Sequence, residues 1–323
     1  MIDIAIGLDV GGTKSLALTV ARDGRVLGEV QLATPRDGND VAGSATAEVL
    51  TEQVRTLAER QGYKPNELPV GIGLPGLMRR DGRLAFAPNL QSASGADLGA
   101  LLGESLGSSM VFCENDANCA ALAEFEWGAG RGIEDFVMVT LGTGIGGGVI
   151  SDGRLVRGRS GFAGEIGHMV VKAHGAPCPC GGYGCWERYA SGSALGRMTL
   201  EAAEAGKLPT LVAQRGGIAA VRPEDVTAAA VEGLEEAVTL MREIGWWLAL
   251  GLANLAAILD CGHFVIGGGL SSASDLVLPS AREYLVDLVE GYDARPTITV
   301  TTSMFGPRSG AMGAALVAFQ RVS

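Results

Sequence analysis

The sequence predicts an α/β protein made of two related halves. Runs of β-branched residues alternate with helical apolar spacing, and a strand–turn–strand unit at residues 2–32 returns at 136–156. At 323 residues the chain exceeds one ordinary core and suits two domains of about 100–200 residues each. A hydrophobic content of 47% against 19% charged residues supplies that core and excludes wholesale disorder.

Each element follows from its local pattern. Residues 2–32 read as three strands joined by a Gly-rich turn at 9–14 and by Asp23-Gly24-Arg25. Residues 40–60 show helical apolar spacing through Val41, Val49, Leu50, Val54 and Leu57, stopping at Gly62. Residues 69–76 form a buried strand running into Pro75-Gly76, 111–113 a short strand, and 117–127 an alanine-rich helix. At 136–156 the opening pattern returns, down to a second Asp-Gly-Arg at 152–154. We read it as an internal repeat; chance likeness of two glycine-rich hairpins is the competing reading. Helices at 194–205 and 233–259, a strand at 263–266 entering Gly267-Gly268-Gly269, and a small-residue helix at 309–321 complete the chain. The apolar stretch at 244–259 is shorter than the ~20 residues of a membrane span and reads as a buried helix.

Charge narrows the partners. Lys+Arg 25 against Asp+Glu 36 gives −11, which repels a phosphate backbone and argues against nucleic acid. An anionic ligand must then be held by local amides, a helix end or a cation. No basic and apolar leader precedes the first strand, so the expected location is the cytoplasm, without a membrane partner.

Asp9-Val10-Gly11-Gly12-Thr13-Lys14 lies between two strands. Glycines there can take positive φ and turn consecutive N–H groups toward an anion, with Thr13 adding a hydroxyl. Asp9 can hold Mg2+ through water. The Walker spacing is absent, and a strand follows instead of a helix. Thr140-Leu141-Gly142-Thr143-Gly144 and the glycines at 146–148 repeat this chemistry, and Gly268 sits in a third cluster. One such turn alone is more often a structural hairpin; two in matching places point to a nucleoside triphosphate.

Glu114-Asn115-Asp116-Ala117-Asn118 lies between a strand and a helix, where side chains reach the mouth of an α/β crevice. Asn and Asp also cap helices well, which is the plain alternative. The functional reading makes Asp116 a general base and Asn115 its hydrogen-bonding orienter. Asn89, Glu165 and Glu187 are acceptors and amides of the kind that recognise a neutral polyol, although each acid taken alone is more often a solvated surface charge. His168 with Cys178, Cys180 and Cys185 offers one imidazole and three thiols, a closed tetrahedral set for structural Zn2+ bracing the loop 168–185. A disulfide or a redox pair is the alternative. Cys113, Cys119 and Cys261 lie in apolar runs and read as core, and His174 and His263 have no visible partners.

These residues together resemble the ROK family of repressors and sugar kinases over essentially the whole chain. The most specific stretch is Gly164-Glu165-Ile166-Gly167-His168 followed by Cys178-Pro179-Cys180-Gly181 and Cys185-Trp186-Glu187. The resemblance implies an actin-like ATPase (ribonuclease H-like) fold of two lobes with a cleft between them: 1–116 plus about 309–323, and 117–308. It implies ATP phosphates at the two Gly/Thr turns and Gly268 near the nucleoside. It further implies a hexose held by Asn89, Asn115, Asp116, Glu165, His168 and Glu187, and a homodimer or homotetramer; lobe closure over both substrates is expected because open water at the γ-phosphate would permit wasteful hydrolysis. The implied activity is transfer of the ATP γ-phosphoryl group to a hexose 6-hydroxyl, with glucose as first choice and N-acetylmannosamine or N-acetylglucosamine as the alternative. After Asn89-Leu90 this chain has Gln-Ser-Ala-Ser-Gly, where the family's glucose enzymes often carry a tryptophan, so sugar choice stays open. A family repressor would carry an N-terminal helix-turn-helix, whereas the first Gly/Thr turn here begins at residue 9. An actin-like filament protein would have no use for a metal-braced sugar pocket.

Overall fold

The computed structural model describes residues 3–35, 40–269 and 274–322. The chain opens with three strands, β1 (Ile4–Val10), β2 (Lys14–Ala21) and β3 (Val26–Ala33), then helix α1 (Ser44–Arg60). Next come β4 (Val70–Leu74), the short pair β5 (Leu77–Met78) and β6 (Leu84–Phe86), α2 (Leu98–Leu106), β7 (Val111–Asn115) and α3 (Asp116–Trp127). A second run begins with β8 (Phe136–Leu141), β9 (Ile145–Ser151) and β10 (Arg154–Leu155). It continues through helices α4 (Glu187–Ala190), α5 (Gly192–Glu204), α6 (Pro209–Arg215), α7 (Pro223–Val231) and α8 (Glu235–Leu259). It ends with β11 (His263–Gly267), α9 (Ser274–Leu288), β12 (Thr299–Thr302) and α10 (Ser309–Val322).

The two larger sheets repeat one plan, with strand orders β3-β2-β1-β4-β7 and β10-β9-β8-β11-β12. In the first, β1–β2–β3 is an antiparallel meander, and β4 and β7 continue parallel to β1. In the second, β9 and β10 pair antiparallel while β11 and β12 run parallel. Matching strand orders are what two copies of one supersecondary unit produce.

The chain packs as two compact units. One holds 1–138, 147–164 and 303–323; the other holds 139–146 and 165–302. The lobes drawn from sequence at 116/117 and 308/309 differ in that 117–138, 147–164 and 303–308 fall here with the N-terminal residues.

In the first unit, alternation along β1 sends Ile6, Leu8 and Val10 to one face, where α1 buries Leu50, Val54 and Leu57 on them. Ala5 faces the other way, onto Ala311, Met312 and Ala315 of α10. Val41, counted into α1 by its spacing, lies outside it and is 78% exposed, because the helix starts only after Gly43 at φ 81°. Gly7 and Gly71 face the carbonyls of Ala311 and Ala314 so closely that no Cβ fits, which sets α10 directly on the sheet. Where α3 ends, fully buried Glu124 accepts hydrogen bonds from the Met304 and Phe305 N–H groups, the Ser309 hydroxyl and the Ala129 N–H at 2.9–3.1 Å.

In the second unit, α8 buries one face from Ala237 to Ala256, while its end leaves Ile258 71% exposed. The apolar run at 244–259 is therefore a one-sided helix surface and not a fully buried rod. Among the described residues, no helix is long and apolar enough to cross a membrane. Cys119 and Cys261 are core residues, Cys113 is only half-buried, and His263 meets the Thr299 hydroxyl at 2.5 Å across β11–β12.

Candidate active site

In the first unit, β1 and β7 run parallel through β4, and the polar residues sit at their C-terminal ends, where open α/β sheets bind ligands. The β1–β2 turn closes with the Gly11 N–H donating to the Lys14 carbonyl at 2.9 Å, and Thr34 bonds the Gly11 and Thr13 carbonyls. Gly12, Thr13 and Lys14 are exposed, offering amides, a hydroxyl and an ammonium to solvent. Neither Gly11 nor Gly12 has positive φ, contrary to expectation. Glycine is needed at 12 for a different reason: a Cβ would stand 2.9 Å from the carbonyl oxygen of exposed Asn89.

Asp9 is half-buried, and its carboxylate faces Gly310 at the start of α10, where a Cβ would be 2.5 Å from Oδ2. Burial first, then the nearby charge of Asp116, pushes the Asp9 carboxyl up to about 7, with Lys14 pulling it down. A second carboxylate near enough to raise the first gives a donor pair that suits a hydrated divalent cation.

Asp116 is the first residue of α3, and its Oδ1 accepts from the Ala117 N–H at 2.8 Å. Asn115 is the N-cap: Oδ1 accepts from the Asn118 N–H at 2.9 Å, and Nδ2 donates to the Gly76 carbonyl at 3.1 Å. The capping alternative is thus realised at Asn115, which retains one lone pair and one N–H for other use. Beneath both lies Glu114, which sequence reasoning passed over. Its Oε1 accepts from the Asn115 N–H and from Asn118 Nδ2, each at 3.1 Å, and its Oε2 meets Arg157 Nε at 2.6 Å. Asp40, also missed, is buried and takes hydrogen bonds from Thr46, Ala45 N–H and Ser92, tying the segment after Asn89 to α1. An acid before a capping residue and an Asp ahead of a Ser/Thr-rich helix start are faint signals that could have flagged the pair.

In the second unit, the β8–β9 turn closes with Gly142 N–H donating to the Gly144 carbonyl at 3.0 Å, echoing the first turn. The first turn of α5 braces it: the N–H groups of Gly192 and Ser193 donate to the carbonyls of Gly142 and Thr143. Thr143 is exposed, and Thr140 and Gly142 are half-buried. A Cβ on Gly144 would fall 2.5 Å from Glu187 Oε2, so the turn and that carboxylate touch. Gly268 has φ 90° and backs onto the Leu141 carbonyl.

Glu187 also accepts from the Cys178 thiol at 3.0 Å and lies 4.0 Å from His168 Nδ1, whose Nε2 is 3.9 Å from Glu165. Burial raises the Glu165 carboxyl above its usual range; His168 opposes this and Glu187 adds to it. The ligand atoms of His168, Cys178, Cys180 and Cys185 all lie within 4.8 Å of one another. That spacing fits one tetrahedral ion with metal–ligand bonds of ~2.0–2.3 Å, and its thiolate-rich donors suit zinc. The loop stands on α8 through the buried Trp186, whose indole N–H donates to the Trp247 carbonyl at 2.7 Å.

The fold and these two polar sets define an α/β ATPase of the actin-like class. Residues 5–321 match the family model described as "ROK family". The chain is 35% identical to the glucokinase of Streptomyces coelicolor over 97% of this chain and 96% of that one. It is 32% identical to an N-acetylmannosamine kinase of Citrobacter koseri, covering 97% and 98%. A glucokinase structure from Streptomyces griseus, in complex with glucose and AMPPNP, superposes with a TM-score of 0.85 at 36% identity, covering 98% and 99%. The chain belongs to the ROK family.

Proposed function

We propose that this chain transfers the γ-phosphoryl group of ATP to the 6-hydroxyl of glucose. The observation that carries the reading is the Asp9–Asp116 pair at the C-terminal ends of parallel strands, in the same unit as the exposed Gly12-Thr13-Lys14 turn. Relatives named glucokinase, and the glucose- and AMPPNP-bound structure, support the substrates. Asp116 accepts a hydrogen bond from the 6-hydroxyl and orients it toward the γ-phosphorus. A carboxylate is a weak base for an alcohol, so the proton moves late, as the O–P bond forms. Positioning and charge stabilisation supply most of the rate. Asn89, Asn115, Glu165, His168 and Glu187 hold the other sugar hydroxyls. Gly11 to Lys14 and Thr140 to Gly144 supply amides, hydroxyls and an ammonium to the phosphates, and Gly268 borders the nucleoside.

Asp9 would hold a hydrated Mg2+, which on binding neutralises phosphate charge. His168, Cys178, Cys180 and Cys185 would hold zinc, which supplies folding energy to the 168–185 loop and leaves no coordination position for chemistry. The enzyme works in the cytoplasm as a homodimer or homotetramer. A second reading, N-acetylmannosamine kinase, is favoured by the 32% identity to that relative.

A coupled assay of ADP release across glucose, mannose, N-acetylmannosamine and N-acetylglucosamine decides between them. Glucose should give the highest kcat/KM, and Asp116→Asn should lower kcat by ~10²-fold or more with ATP affinity little changed. Preference for an acetylated sugar, or an Asp116→Asn variant keeping over a tenth of the activity, overturns the corresponding part.

A further inference from the structure

We infer that Arg157 and Glu114 form a positioning device for the Asp116 carboxylate, an inference that rests on the catalytic reading of Asp116. Glu114 is the penultimate residue of β7, just ahead of α3, and is 8% exposed. Two of its three hydrogen-bonded partners, Asn115 and Asn118, lie at the N-cap and in the first turn of α3. Oε1 fixes the Asn115 main chain and the Asn118 side chain, and Oε2 is held by Arg157. The Asn118 side chain is 1% exposed, and its Oδ1 finds no partner among the described residues, so its bond to Glu114 sets its orientation. Asn115 in turn caps Asn118 and reaches Gly76. Asp116 is therefore held between a clamped predecessor and a clamped helical turn.

Arg157 reaches Glu114 from a loop that is itself located. Ahead of it, Gly148 of β9 packs so close to α3 that a Cβ would lie 2.7 Å from the Ala117 carbonyl. Beyond it, Arg80 Nε donates to the Gly158 carbonyl at 2.9 Å, and Gly161 at φ 102° backs onto the Met78 carbonyl. The ion pair is mostly shielded, with side-chain exposures of 34% for Arg157 and 10% for Glu114. Removing the arginine leaves an uncompensated carboxylate against the main chain of Asn115, the residue before Asp116. A shielded carboxylate that has lost its cation re-aims toward other donors, and the N-cap main chain it holds moves with it. Displacements of an ångström at a reacting group can cost ~10²-fold in rate.

The test is steady-state kinetics on Arg157→Ala, Arg157→Lys, Glu114→Gln and the Arg157→Ala/Glu114→Gln double variant, with Asp116→Asn beside them. Positioning predicts that Arg157→Ala and Glu114→Gln each lower kcat ~10–100-fold while KM for ATP stays within ~2-fold. Arg157→Lys, which restores a cationic donor, should recover at least half of that loss on a logarithmic scale. The double variant should be no worse than the poorer single one, because both act through one contact. If Arg157→Ala does not fold, the lysine and glutamine variants carry the same decision. The inference is overturned if kcat stays within ~3-fold of the parent. It is overturned equally if Lys is no better than Ala while KM for both substrates rises with the loss of thermal stability, the pattern of general loosening. An active Asp116→Asn overturns the catalytic reading instead, so the two failures are distinct.

Discussion

Asp9 shows how one side chain ties ligand chemistry to stability. Its carboxyl is raised from 3.8 to about 7, by burial first and by Asp116 second. Between those values the folded chain holds a proton that the unfolded chain has released. The stability this group contributes is therefore full at low pH and lost as pH rises through about 7. Asp9→Asn removes the titration. Urea unfolding of the ligand-free protein at about pH 5 and about pH 8 should show a smaller loss of stability on raising pH in the variant than in the parent. Identical losses would mean that Asp9 is not perturbed. The carboxylate that costs stability without ligand is the one assigned to Mg2+, so Asp9→Asn should also raise the magnesium needed for activity.

Among the elements, the junction of α3 and α10 depends on Glu124, which gathers four donors while fully buried. Glu124→Ala strands those donors and opens a cavity, so it should destabilise by about 3 kcal/mol or more in chemical denaturation. A loss under about 1 kcal/mol would show that water replaces the carboxylate. The loop 168–185 makes a separate prediction. Protein purified without chelator should carry about one zinc per chain, and Cys180→Ser should lose both metal and sugar binding, read by metal analysis and calorimetry. Intact glucose affinity in a metal-free variant would detach the loop from the sugar site.

Across the whole molecule, the elements legible in the sequence were those with strong local patterns. β1 to β4, α3, β8, β9, α8 and α10 all announce themselves by period or by glycine turns. Others did not. α2 carries two glycines, α6 and α7 bury only Leu211 and Val226, Ala229 and Ala230, and α9 contains Pro279. In these, packing against neighbours outweighs local preference. The candidate site divided in the same way. Asp9, Asn115, Asp116 and the cysteine cluster were visible because their residue types are chemically distinctive. Glu114, Arg157, Asp40 and Gly310 were not, since their roles arise from contacts made between distant parts of the chain. Distinctive chemistry and matching turns in both halves led to the ROK family, and the remaining question is which bond the enzyme makes.

The most direct answer is a ³¹P NMR spectrum of the purified enzyme with magnesium, ATP and glucose. The expected spectrum shows ADP and glucose 6-phosphate in equal amounts, both forming ~10²-fold or more slowly in Asp116→Asn. Inorganic phosphate without a sugar ester, or an ester at another hydroxyl, would contradict it.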